Sequence, residues 1–469
     1  MYQDQTIPTS TFFSNSHSLL MDMLASDPVL ASQQIVDKSE IIDFMQNYPN
    51  KYSLWPVTIS PQIKANFDYF IKMLSTIAEK VINYFLSFNA ESFSVATGMP
   101  HLLHDLYRSK CQSLLSQRLI RYDVVFSTNI LKLIEINCGS NIGGWQLDWL
   151  KPQFDAILAG QQQTRIFSLK SQNILKDMFR KLMDNIATLP EVDSSANILL
   201  YIGDEEYINS DIMKFIKSLF SEIAEKCSCQ LKVASFNNWD ELTFSADGET
   251  IHNHNRVDAL ICLSSQEIPN EVNIRLLRSY IVDKLVFPDS PLHRIIGNKS
   301  LIALIYQALD LHILTTKERR FIIEHIPASY CMDQPQVQYQ NKSMLLQELL
   351  IKHQEDFVIK KALSFQGIDV FIGRDMDPLQ WRSLIDKSAT SQGWIAQQFC
   401  EPDNSRVCDP DHGVIDASLI WGIFDLGREY RGAFVRASTS SNIINSHAGA
   451  IEYAVREELP TKKKHLLVI

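Results

Sequence analysis

The chain lacks the marks of several protein classes. No apolar run reaches the roughly 18 residues that a membrane span needs, so no span is expected. The opening Met1-Tyr2-Gln3-Asp4-Gln5 has neither the basic start nor the apolar run of a secretory leader. Eight cysteines are present but none forms a Cys-x-x-Cys pair. At 469 residues the chain is far larger than a disulfide-stapled domain. Reduced thiols in a cytoplasmic setting are the expectation. There is no basic excess: the net charge is −10, which argues against a nucleic-acid surface but leaves room for a local basic cleft. Internal repeats are absent. With 45% hydrophobic and 21% charged residues, neither disorder nor a fibrous fold is indicated. The length allows two or three domains, and a homodimer is the default expectation for assembly.

The pattern along the chain is uneven. Residues 1–118 read as mostly helical, with apolar residues at helical spacing over 63–86 and 102–119 and a boundary before Pro61. A pair of strands and a glycine-containing loop fill 120–150, and one helix covers 165–190. From 196 strands and helices alternate, which predicts a small parallel sheet with helices on its faces; Ala246-Asp247-Gly248 reads as a hairpin tip. A helix is expected over 298–314 and another over 378–388. Strands are expected over 357–361, 369–372 and 394–399, with an antiparallel pair at 418–425 and 430–437 turning near Gly427.

Three residues carry the most chemistry. The run Leu131–Ile136 reads as a buried strand, and a Glu inside it is costly unless something holds its charge. Asn137 is two residues beyond Glu135, so both point to one face. Asp123 comes from the preceding strand. Oxygen ligands on paired strands suit Mg²⁺ completed by phosphate and water; a half-buried Glu bonded to Arg121 is the plainer alternative. A second cluster lies in 357–373. Lys360 ends an apolar strand, and a turn containing Gly367 leads to the next. Such a lysine can reach phosphates under a turn whose N–H groups cover them. The strand from Trp394 to Phe399 could offer backbone groups to an adenine edge, with Glu401 placed for ribose hydroxyls.

Taken together these motifs resemble the circularly permuted ATP-grasp ligases, which include glutathionylspermidine synthetase. Residues 287–304, running from Phe287-Pro288-Asp289 through Asn298-Lys299-Ser300, are similar to the family segment that supplies one nucleotide-binding lysine. His325-Ile326-Pro327 resembles its following marker, 358–373 the second-lysine segment, and 394–401 the adenine hinge. Gly432 through Arg436 to Ser438 resembles the "G-x-x-x-R-x-S" strand. The resemblance covers roughly residues 118–450 and rests on the order and joint presence of these motifs.

The resemblance implies a permuted ATP-grasp core, which with the periodic patterns above makes a mixed α/β and α+β fold with a helical N-terminal region and a small parallel α/β domain. The implied parts are 1–118 (helical), 119–190 (metal-binding strands and substrate loop), 191–290 (small α/β domain) and 291–469 (nucleotide lobe and C-terminal strands). It implies that Asp123, Glu135 and Asn137 hold Mg²⁺. Lys299 and Lys360 would contact ATP phosphates, helped by the turn residues Ser364, Gln366 and Gly367. Gln397, Phe399 (through its backbone) and Glu401 would bind adenosine. Arg121 would face the transferring phosphoryl group, and Arg436 phosphate or a substrate carboxylate.

Two places depart from the family pattern. The turn after the second lysine carries one glycine where the family has Pro and two or three. Ala328-Ser329-Tyr330 stands where Trp-Thr-Arg often follows the His-Ile-Pro marker. The cysteine–histidine amidase module of some members has no counterpart in 1–118.

The implied reaction joins a small-molecule or peptide carboxylate to an amine in a biosynthetic pathway, consuming ATP. A polyamine–peptide ligase is the nearer alternative, and a non-catalytic nucleotide-binding scaffold the one of another class. The loop Cys138-Gly139-Ser140-Asn141-Ile142-Gly143-Gly144-Trp145 follows the metal ligands directly. Its glycines permit close backbone approach, which places Ser140, Asn141, Gly143 and Gly144 beside the carboxylate substrate or in a plain structural turn. Cys138 reads as a small buried thiol rather than a nucleophile, and His412 and His447 as loop histidines.

Overall fold

A computed structural model describes residues 14–33, 48–98, 100, 102–160, 169–190, 195–203, 211–227, 230–264, 268–364, 369–439, 444 and 449–459. Its centre is a mixed sheet of eight strands. Along the main path the order is Tyr52–Ile59, Ile451–Glu458, Tyr430–Ser438, Gly413–Leu426, Leu119–Ser127 and Ile130–Cys138. Asn404–Asp409 adds to the strand at 413–426, and Leu169–Lys170 to the strand at 451–458. All neighbours are antiparallel except 52–59 with 451–458.

One face of this sheet is covered by the helix Pro61–Phe88. Ser60 caps it, its side chain accepting from the Ile63 N–H, and Pro61 occupies the first turn, where no N–H is needed. Ile63, Phe67, Phe70, Ile71, Leu74, Ile77, Val81 and Phe85 repeat at helical spacing and are buried. They pack on Tyr122, Val124, Leu133, Ile136, Trp421 and Val435. The opposite face carries an apolar cluster that includes Leu119, Phe424 and Phe434, and beside it the polar residues Arg121, Asp123 and Arg436.

Two smaller sheets flank the centre. The strands Ser195–Tyr201, Gln230–Phe236 and Ala259–Cys262 are parallel, with the first in the middle. This is the small parallel sheet that the alternating pattern implies. The helices Ile174–Ile186 and Asp211–Cys227 pack against it, with Phe179 and Phe220 stacked at 3.9 Å. The other sheet is antiparallel, in the order Ser329–Cys331, Trp394–Gln398, Phe357–Lys361, Val370–Ile372.

Three expectations are corrected. Residues 52–59, in the region read as helical, form a strand buried along nearly its whole length. The helix expected over 298–314 ends at Gln307, followed by a short 3-10 turn and extended backbone at Leu311. The helix expected over 165–190 is confined to Ile174–Ile186 among the described residues. The hairpin tip at Gly248 is present, with φ +89°. Among the described residues no helix is long and apolar enough to cross a membrane, and Cys138, Cys262, Cys331, Cys400 and Cys408 are free thiols.

Candidate functional site

The polar face is built on the pair Leu119–Ser127 and Ile130–Cys138. Arg121 lies opposite Asn137, and Asp123 opposite Glu135. The next pairs are Val124 with Leu133, so the register slips by one residue at Ile134. This bulge has a consequence for phase. Leu131 and Leu133 are buried and Glu135 would follow them inward by strict alternation. The extra residue turns Glu135 and Asn137 to the polar face and sends Ile136 into the core.

Asp123 is buried and doubly held. Arg121 donates to it through Nε at 2.7 Å and Nη2 at 3.0 Å, and Arg436 through Nη2 at 2.7 Å. Burial opposes its charge, but the two guanidinium groups outweigh that and keep the carboxyl below its ordinary value. Both guanidinium groups lie over the Phe434 ring, at 5.3 and 5.6 Å from its centroid. Gly422, opposite Asp123 on the neighbouring strand, makes the room. A Cβ there would fall 2.2 Å from the Phe434 ring and 2.9 Å from Arg121 Cδ.

The two lysines converge from different elements. Lys299 precedes the helix Ser300–Gln307. Its Nζ is 2.9 Å from Glu135 Oε1 and donates to the Ser364 carbonyl at 2.9 Å. Lys360, buried on the antiparallel flanking sheet, donates to Gln397 Oε1 at 2.7 Å and to the carbonyl of the bulged Ile134 at 3.3 Å. Burial pushes its ammonium down to about 8; Glu135 opposes that shift and Lys299 adds to it. The sequence reading placed Arg121, Asp123, Glu135, Lys299, Lys360, Gln397 and Arg436 near one another, and the structure brings them together.

A cleft of about 370 Å³ has walls that include Lys132, Tyr306, Pro327, Gln398, Phe399 and Glu401; neither Lys299 nor Lys360 lines it, and it approaches Lys360 through Gln398, which follows the Gln397 that Lys360 bonds. The Phe399 N–H already donates to the Asp356 carbonyl at 2.7 Å, so a backbone contact there has to use another group. Glu401 is exposed and paired with Arg374, whose guanidinium stacks 4.1 Å from the Phe399 centroid. Ser364 is at the site through its carbonyl. Gln366 and Gly367 lie outside the described residues, as does His447.

The loop after Asn137 only partly faces the site. Gly143 accepts from Arg121 Nη1 at 2.9 Å. Gly144, at φ +108°, passes under Phe434, where a Cβ would be 2.4 Å from the ring. Asn141 is exposed. Ser140 turns away from the arginines: its hydroxyl is 2.5 Å from Asp289 Oδ2 and 2.9 Å from the Cys262 carbonyl. Burial pushes the Cys138 thiol up to about 12, as suits an inert side chain. His412 is bonded locally to Asp409. Phe434, Gly422, Asp289 and the Ile134 bulge were not singled out in the sequence; Asp289, Phe434 and Ile134 lie inside motifs given above, and Gly422 inside an expected strand.

A carboxylate and a carboxamide on one face, with a second carboxylate opposite, are hard oxygen donors that fit Mg²⁺. Glu135 would have to exchange Lys299 for the cation, while Asp123 is already neutralised by two arginines. Another acidic group, Asp409, Asp411 and His412, is close enough for a cation, but Lys51 pairs with both aspartates.

No family model matches the chain, and no curated protein matches it. Among solved structures it is similar to a glutathione synthetase-like effector from Globodera pallida in its apo form. The TM-score is 0.53 at 12% identity over 94% of this chain and 98% of that one. A putative gamma-glutamylcysteine synthetase from Methylobacillus flagellatus aligns with a TM-score of 0.40 at 11% identity, over 82% of this chain and 88% of that one. The first likeness is one of fold: the chain is built like that glutathione synthetase-like effector.

Proposed function

We propose that the chain is an ATP-dependent carboxylate–amine ligase of the permuted ATP-grasp type, forming an amide through an acylphosphate and releasing ADP and phosphate. The observation that carries this reading is the convergence of Arg121, Arg436, Lys299 and Lys360 on Asp123 and Glu135. With the buried Glu452 opposite Arg436 counted, four cations stand against three carboxylates, and the surplus of positive charge suits a polyphosphate. Lys299 and Lys360 would bind phosphate oxygens, and Gln397 would orient Lys360. Mg²⁺ held by Glu135 and Asn137, with Asp123 alongside, would offset charge on the phosphates.

A substrate carboxylate oxygen attacks the γ-phosphorus and ADP departs. Arg121 and Arg436 would stabilise charge on the transferred group, which is a matter of positioning and electrostatics. The amine nitrogen then attacks the acyl carbon, phosphate leaves with the carboxyl oxygen, and the nitrogen loses its proton. Asp123 fixes both arginines and so sets where that charge is met.

The second reading is a non-catalytic nucleotide-binding scaffold. The single-glycine turn at 361–367 and the complete internal pairing of Asp123 favour it. ADP release from Mg·ATP decides between them, assayed with pooled amino acids, dipeptides and polyamines. Release that needs one pool and vanishes in Glu135→Gln establishes the ligase and narrows its substrates. Mg·ATP raising the melting temperature with no ADP from any pool sinks the ligase reading in favour of the scaffold.

A further inference from the structure

Asp289 bonds neither lysine and does not line the cleft, yet it organises the loop that holds Arg121. The preceding segment extends the small sheet, with Val286 bridged in parallel to Ala259. The Asp289 carboxylate then reaches across the end of the strand Ala259–Cys262. It accepts from the Ser140 N–H at 2.8 Å, the Ser140 hydroxyl at 2.5 Å and the Cys262 N–H at 3.0 Å. Two N–H donors, with a hydroxyl that Asp289 shares with the Cys262 carbonyl, suit a carboxylate and not an amide, whose NH₂ would face an N–H.

The loop is shaped to allow this contact. Gly139 has φ +129°, and a Cβ there would lie 2.9 Å from Asp289 Oδ1. Four residues on, the Gly143 carbonyl holds Arg121 Nη1, and the same guanidinium grips Asp123. The chain after Asp289 continues past Gly297, where a Cβ would be 3.3 Å from Cys138, to Lys299. One stretch of backbone therefore sets both the loop and a phosphate-facing lysine.

We propose that Asp289 is a positioning residue of the site: its carboxylate pins residues 139–144 to the end of the small parallel sheet, so that the Gly143 carbonyl holds Arg121 against Asp123. The pin stands on contacts alone; its effect on turnover rests on the ligase reading.

The test compares Asp289→Asn and Ser140→Ala with the unmodified chain, using amide hydrogen exchange and Mg·AMP-PNP as the nucleotide probe. Asp289→Asn should speed exchange at 139–144 about tenfold or more, the scale of a lost charge-assisted hydrogen bond. Exchange in the strands Phe357–Lys361 and Trp394–Gln398 and stabilisation by Mg·AMP-PNP should stay unchanged. Ser140→Ala keeps its N–H and should give a smaller rise at the same amides; it carries the test if Asp289→Asn does not fold. In ADP release, with the pool that supports it, Asp289→Asn should lower kcat about 10- to 100-fold and leave KM for ATP within about twofold. Unchanged exchange at 139–144 in the folded variants overturns the proposal, and so does protection lost evenly over the whole chain in Ser140→Ala. An unmodified chain that releases no ADP overturns the ligase reading instead, while the exchange result still decides the pin.

Discussion

Replacing Glu135 with Gln keeps the shape of the side chain and removes the charge facing Lys299. The Lys299 side chain is 4% exposed and that of Glu135 29%. Removing one partner of a fully buried pair costs about 3–5 kcal/mol. Here the Ser364 carbonyl still accepts from Nζ at 2.9 Å. Glu135 also has partial access to water, so the expected loss is nearer 1–2 kcal/mol. In a chain of this size that lowers Tm by about 1–2 °C. The freed ammonium no longer has to leave a carboxylate before it meets phosphate. Metal-free AMP-PNP should therefore bind tighter, about fivefold for each kcal/mol of pairing removed. The gain that Mg²⁺ gives the unmodified chain should largely vanish, because the carboxylate that the ion would take is gone. Calorimetric titration with AMP-PNP, with and without Mg²⁺, reads both effects, and thermal melts read the first. A variant with unchanged Tm and unchanged metal dependence would show that Glu135 does not link the cation to Lys299.

Lys360 gives a pH signature in the nucleotide-free chain. Its folded value of about 8 lies below the ordinary 10.5, so the unfolded chain binds more protons between those limits. The penalty is full below pH 8 and is relieved as pH rises, by up to about 3 kcal/mol from this group. Denaturant melts from pH 7 to 10 should show the rise, and Lys360→Met should abolish it; an identical slope in the variant refutes the assignment. Gly422→Ala places a Cβ against Phe434 and Arg121. We expect a loss of about 1–3 kcal/mol by urea unfolding, with loss of ADP release; native stability and activity together would contradict the packing argument. Arg118→Met strands Asp425, which is fully buried and 3.1 Å from the Arg118 guanidinium. A cost of about 3–5 kcal/mol is expected, and a urea midpoint equal to that of the unmodified chain would refute it.

Much of the site was readable because it depends on local spacing. Arg121 and Asp123 are two residues apart, as are Glu135 and Asn137, and a strand puts such pairs on one face whatever surrounds it. The helix Pro61–Phe88 was readable from its apolar period, and the small parallel sheet from strand–helix alternation. The strand Tyr52–Ile59 was not. It is buried on both faces, so it shows no alternation. Its partner is the distant Ile451–Glu458, where Tyr52 meets Glu452. Ser140 shows the same limit: its place after Gly139 suits a substrate loop, and nothing local says that its hydroxyl lies against Asp289.

The sequence by itself determined which side chains carry the charge, which elements hold them, and in what order they come along the chain. Tertiary structure decided how those charges are matched. Only the pairing of two strands reveals the bulge at Ile134 that turns Glu135 outward and offers a carbonyl to Lys360. Only the packed sheet shows that Arg436 and Arg121 share one carboxylate above Phe434. Register and long-range ion pairs depend on residues distant in the chain, so no local window of sequence contains them.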